Sequence, residues 1–162
     1  MKKSIEFTVK PEWDEIEEIR NDSAEFLQAH ELSDDTIHSL SMIISELIEN
    51  GIKYGNFKMV ENRVSVIINI DRNTVTIEVL NPVDEDADKH LSRLDKTIQW
   101  IRGYQDPFEA YMVMKKMSPK QTRHGEAEGI GLAEIAYEGN ATLDFFISED
   151  NILNLSAVKR LA

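Results

Sequence analysis

The sequence predicts an α+β fold, a two-layer sandwich in which helices cover one face of a mixed, mostly antiparallel sheet. Three observations carry this expectation. Apolar and polar residues alternate, as in a half-buried strand, at both ends of the chain and in a hairpin near its middle. Between these stretches, apolar residues recur every three or four positions, as in an amphipathic helix. The 162 residues contain no internal repeat, low-complexity tract or Pro/Gly/Ser-rich linker, so they are expected to form one domain, 1–162, of a size that buries roughly 70% of its unfolded surface.

Each element has its own signal. Ile5, Phe7 and Val9 alternate with Glu6 and Thr8, and Pro11 stops that strand. Trp13, Ile16, Ile19, Ser23, Phe26 and Leu27 mark a first helix to about Gln28, with Glu12, Asp14 and Glu15 at the positive end of its dipole. Ser33 can cap a second helix that runs to about Tyr54, and Asp34 and Asp35 suit its first turn. Val64, Val66, Ile68 and Ile70, the turn Asp71-Arg72-Asn73, and Val75, Ile77 and Val79 make a hairpin that ends sharply at Asn81-Pro82.

Ala87, Leu91, Leu94, Ile98 and Ile101 give a third helix, which Gly103 can close, and a shorter helix fits Pro107 to about Met117. After Gly129-Ile130-Gly131 a brief helix from Leu132 to about Glu138 is expected. A last hairpin then pairs Leu143, Phe145 and Ile147 with Leu153, Leu155 and Ala157 around Glu149-Asp150-Asn151.

Composition narrows the function. The chain carries 18 Lys and Arg against 30 Asp and Glu, a net charge of −12. A surface this acidic repels phosphate backbones and anionic headgroups, so neither nucleic acid nor a membrane surface is an expected partner. No apolar run has the length of a membrane helix or of a signal-peptide core, and with no Cys there are no disulfides or thiolate sites; a cytoplasmic protein is expected. The four histidines are widely spaced, and no pair has the i, i+4 spacing of a helical metal site.

Chemistry concentrates in the second helix. Leu40, Ile44, Leu47 and Ile48 form its apolar stripe, while Glu46, Asn50 and Lys53 share one polar sector at the margin of that stripe. A carboxylate, a carboxamide and an ammonium thus project together. The same spacing also fits a solvated helix face.

The segment Ser45-Glu46-Leu47-Ile48-Glu49-Asn50-Gly51-Ile52-Lys53-Tyr54-Gly55 resembles the N box of the GHKL ATPase superfamily, which includes histidine kinases, gyrase-type ATPases and anti-sigma-factor serine kinases. His124-Gly125-Glu126-Ala127-Glu128-Gly129-Ile130-Gly131-Leu132 resembles the superfamily's G2 box, a loop that closes over phosphates and runs into a helix. Taken alone, Gly-x-Gly-Leu also suits many turns and helix starts. The joint order of motifs and hairpins, from Ser33 to Arg160, matches the Bergerat fold of these ATPases.

The resemblance implies Mg-ATP as cofactor and assigns roles to residues. Glu46 would be catalytic, activating the nucleophile, and Asn50 would bind magnesium. Lys53, Asn81, Asp84, Arg123, Gly129, Gly131 and Leu132 would contact the nucleotide, with residues from about 83 to 125 forming a lid or insertion. Lys115, Lys116, Lys120 and Arg123 concentrate positive charge there; they suit phosphate, and equally a helix C-terminus. Met112, Met114 and Met117 fit a surface that repacks, or core filling.

One departure matters. The superfamily's adenine box begins with Asp and continues Gly-x-Gly, whereas here Asn81-Pro82-Val83-Asp84 follows the strand. Asn can still pair with adenine, accepting and donating at once, and Asn81-Pro82 also reads as a plain strand-ending turn. This pattern looks closest to anti-sigma kinases and the SiaB-type branch of bacterial regulatory kinases. It implies a serine/threonine protein kinase acting on a small regulatory partner, such as a STAS-type anti-sigma antagonist or a sigma factor, with a homodimer allowed. The alternative is a catalytically degenerate GHKL-fold module that sequesters such a regulator.

Overall fold

The computed structural model describes residues 2–57, 63–84, 88–104, 106–117 and 127–161. In chain order the elements are β1 (Lys2–Val9), α1 (Asp14–Ala29), α2 (Asp34–Tyr54), β2 (Val64–Asp71), β3 (Thr74–Pro82), α3 (Asp88–Arg102), α4 (Pro107–Met117), α5 (Ala127–Tyr137), β4 (Ala141–Ile147) and β5 (Ile152–Arg160). The five strands form one sheet in the order β1-β2-β3-β5-β4. Every described pairing is antiparallel. The α+β two-layer expectation therefore holds.

Register follows from burial. A strand's side chains alternate between faces, so pairing settles where both strands bury the same parity. Ile5 lies opposite Ile68, Phe7 opposite Val66, Ile77 opposite Ile68, and Val79 opposite Leu155. These residues, with Leu143 and Ala157, face the helices in a single core. Removing such side chains from water stabilises the fold by roughly 1.5–3 kcal/mol each before ordering costs are counted.

Helix α2 is the centre of the helical layer. Ser33 caps it, its Oγ accepting from the Thr36 backbone N–H at 3.2 Å. Leu40, Ile43, Ile44, Leu47 and Ile48 are fully buried between the sheet and the neighbouring helices. Helix α1 packs along α2 through Ile16, Ile19 and Leu27.

Helices α3, α4 and α5 extend the layer towards β4. Arg102, in the last turn of α3, donates from Nη2 to the Leu143 carbonyl oxygen of β4 at 2.7 Å. Helix α4 is tied to α5 by aromatic contacts, Tyr111 stacking on Tyr137 with ring centres 5.4 Å apart and Phe108 meeting Tyr137 edge-on at 5.0 Å. Lys159 of β5, its ammonium held below the usual lysine range by burial, donates to the Gly139 carbonyl just past the end of α5 at 2.6 Å.

The structure departs from the sequence expectation at α5. That helix begins at Ala127, not Leu132, so Gly129 and Gly131 are helical residues rather than a loop preceding a helix. A glycine in a helix interior costs about 1 kcal/mol relative to Ala, which is why the pair reads locally as a loop. Packing of α5 on α2, α3, α4 and β4 outweighs that cost.

Candidate active site

The site is built on the polar margin of α2. Ser45 to Lys53 are held in helix by the buried stripe beneath them, so Glu46 and Asn50, one turn apart, leave the same side. Asn50 Nδ2 donates to the Glu46 carbonyl oxygen at 2.9 Å. That bond fixes the amide and leaves its Oδ1, a hard oxygen donor, as the outward end of the side chain. Both residues are half-buried, whereas Lys53, in the last turn, is exposed.

Strand β3 brings Asn81 against α2 at Gly51, the residue after Asn50. Asn81 is on the core-facing side of the strand and only 2% exposed. Its Nδ2 donates to the Pro82 carbonyl oxygen at 3.3 Å. Its Oδ1 lies against Gly51, where a Cβ would sit 3.2 Å away, tighter than ordinary contact. Gly51, the residue after Asn50, thus allows the strand end to approach the helix. Nearby, the Asn56 backbone N–H donates to the Pro82 carbonyl at 2.7 Å, which joins the end of α2 to the end of β3.

Helix α5 closes the other side. A Cβ on Gly131 would run into the Glu46 carboxylate. The glycine therefore lets the α5 backbone lie directly on the proposed catalytic group. Burial, together with the carboxylates of Glu49 and Glu134, pushes the Glu46 carboxyl up from the ordinary 4.5 to about 7. Glu134, on α5, is itself raised by burial and by Glu138, with Lys115 of α4 acting in the opposite direction and Glu49 adding to the rise.

A carboxyl raised towards neutrality by burial suits proton transfer. Magnesium takes oxygen ligands in octahedral geometry and commonly keeps waters and substrate phosphates, so one protein oxygen such as Asn50 Oδ1 is a fitting contribution. Among the described residues no group of three or more His, Cys, Asp or Glu is placed to hold a metal ion without such help.

The remaining sequence candidates divide. Asp84 is exposed, just beyond Asn81. Leu132 is 2% exposed and belongs to the core beside Ala133 and Ile135. Arg123, Lys120 and His124 lie outside the described residues, with the rest of 118–126. Sequence reasoning missed Gly51, Glu49 and Glu134. Gly51 had a signal, an isolated glycine inside a strongly periodic helix; Glu134 had none, because its approach to Glu46 depends on how α5 packs.

No protein-family model matches the sequence, and no curated protein does. Among solved structures, the chain is similar to a chain in the crystal structure of the SiaB-SiaC complex from Pseudomonas aeruginosa, with a TM-score of 0.69 and 21% identity, over 96% of this chain and 88% of that one. At this identity the likeness establishes the fold. No described helix is long and apolar enough to cross a membrane.

Proposed function

We propose that this protein is a GHKL-type, Mg-ATP-dependent kinase that phosphorylates a serine or threonine on a small regulatory partner protein in bacterial signalling. One observation carries the reading. Helix α2 is approached closely twice within six residues, by Gly131 of α5 at Glu46 and by Asn81 of β3 at Gly51, the residue after Asn50, with a glycine at each approach. The groups at these approaches belong to three separate sequence motifs, and the fold brings the other two onto the helix that carries the first.

In this reading Asn50 Oδ1 holds magnesium, and Asn81, with Asp84 beyond it, marks the adenine end. Lys53, Arg123, Gly129 and Gly131 would contact the phosphates, and Leu132, buried in the core, would anchor the helix that carries those glycines. Mg-ATP supplies the phosphoryl group. Glu46 takes the proton from the partner's hydroxyl as its oxygen bonds to the terminal phosphorus, and the bond from that phosphorus to the ADP oxygen breaks. A carboxyl raised to about 7 is ionised in an increasing fraction as pH rises through neutrality, so transfer should increase over the same range. A partner protein is consistent with the structural neighbour, which was crystallised as a two-protein complex.

The second reading, a GHKL-fold module that sequesters a regulator without catalysis, has an observation of its own. Asn replaces the usual Asp at position 81, and the α5 backbone already lies on the Glu46 carboxylate. Calorimetric titration with ATP and magnesium, followed by radiolabelled phosphate transfer to the co-purified partner, separates the two. Under the kinase reading wild type binds and transfers, Asn50→Ala loses magnesium-dependent binding, and Glu46→Ala retains binding but loses transfer by at least about 100-fold. Nucleotide-independent partner binding without transfer by wild type would overturn it.

A further inference from the structure

The sheet has a second face, opposite the helices, and its residues follow directly from the register. One row across it runs Thr8, Ser65, Leu80, Asn154 and Phe146; the next runs Glu6, Ile67, Glu78, Ser156 and Asp144. The first row sets Leu80 and Phe146 on either side of Asn154, with Thr8 and Ser65 beyond Leu80. The second bears three carboxylates.

Three side chains on this face stand out. Phe146 is 60% exposed, and Val158, two rows along, is 39% exposed, a poor arrangement for large apolar groups in water. Asn154 is the opposite case, only 5% exposed on the face that no described helix covers. Its Nδ2 donates to Glu78 Oε1 at 3.1 Å, which fixes the amide orientation, and its Oδ1 is buried with no hydrogen-bond partner among the described residues. A buried acceptor without a donor costs roughly 1–3 kcal/mol.

We propose that this face is a docking surface for a cationic amphipathic helix of a partner protein, its apolar stripe seated on Phe146, Leu80 and Val158 and its Lys or Arg side chains on Glu6, Glu78 and Asp144. Charge selects the occupant. The charged groups along the two rows are all carboxylates, so a cationic face is their complement, and a donor arriving beside Glu78 supplies the bond that Asn154 Oδ1 lacks once those side chains shift. A second copy of this chain would bring the same carboxylates against themselves. The surface is on the far side of the sheet from Glu46, so the inference stands independently of the kinase reading.

The test uses the full chain, isotope-labelled, with two synthetic amphipathic helices of equal length, one of Leu and Lys and one of Leu and Glu. The Leu/Lys peptide is expected to shift the Asn154 side-chain amide and the backbone amides of Phe146, Ser156 and Val158 saturably, and the Leu/Glu peptide to bind at least tenfold more weakly. Phe146→Ser and Asp144→Asn, both at exposed positions, should each weaken binding of the Leu/Lys peptide about tenfold while leaving Mg-ATP titration unchanged. Equal response to the two peptides, shifts confined to α2 and α5, or shifts that track protein concentration with no peptide present would each overturn the proposal.

Discussion

Helices α2 and α5 supply opposite sides of the same site and are built in opposite ways. Helix α2 has a clean apolar stripe, a side-chain cap at Ser33, and five fully buried residues from Leu40 to Ile48. Its polar groups are therefore placed by its own periodicity. Helix α5 is mostly apolar in sequence, contains Gly129 and Gly131, and takes its position from what it touches. The floor of the site is fixed locally, while its closing wall is fixed by tertiary contact. Substitutions in the two helices should accordingly fail in different ways.

The largest effect should come from breaking the floor. Leu47 is fully buried, directly after Glu46. Leu47→Ala removes its packing and leaves a cavity, for an expected loss of about 2–5 kcal/mol in denaturant unfolding. Because the whole domain rests on this stripe, the midpoint should fall in one cooperative transition. A separate early transition confined to α2 would contradict the shared core.

Gly131→Ala acts on the wall. Helix propensity alone would make it stabilising by about 1 kcal/mol, but the new Cβ meets the Glu46 carboxylate. Overpacking of this kind typically costs about 1–3 kcal/mol, so a net loss is expected in thermal unfolding. Pairing it with Glu46→Ala should recover most of that loss, since the obstructing carboxylate is gone. Failure of the double variant to recover would mean that Gly131 is required for some contact other than Glu46.

The same contrast explains what was legible in the sequence. The extent of α2 could be read because its cap, stripe and last turn are all local, and the β2–β3 and β4–β5 hairpins because their turns are. Arg72 and Asn151, with φ of 51° and 59°, stand within those turns. The placement of β5 beside β3 was not legible, since strands separated by three helices declare their pairing only through the finished core. The start of α5 was misread for a related reason. Two glycines in four residues argue locally for a loop, and only the packing of α5 on α2, with Gly131 against Glu46, makes a helix worth its conformational cost. Gly51 shows both sides: the residue stands out in the helix, but its reason, the approach of Asn81, lies on another element.

A pH-dependent effect sharpens the comparison most, because it reads the wall through the floor. Glu46 has a folded-state pKa of about 7 against the ordinary 4.5, chiefly from burial under α5 and then from Glu49 and Glu134. Between those two values the folded protein binds more protons than the unfolded chain, so this group makes stability fall as pH rises from about 4.5 to about 7, with no further change above. Glu46→Gln removes the titration while keeping nearly the same shape. The variant should therefore be more stable than wild type at pH 8, and the difference should shrink as pH is lowered through 7 towards 4.5 in parallel thermal melts. Glu134→Gln, which removes one of the neighbouring charges, should move the wild-type inflection downwards by a smaller amount. A constant difference between wild type and Glu46→Gln across this range would mean that α5 does not bury the carboxylate in solution, and that the wall stands open where the floor is closed.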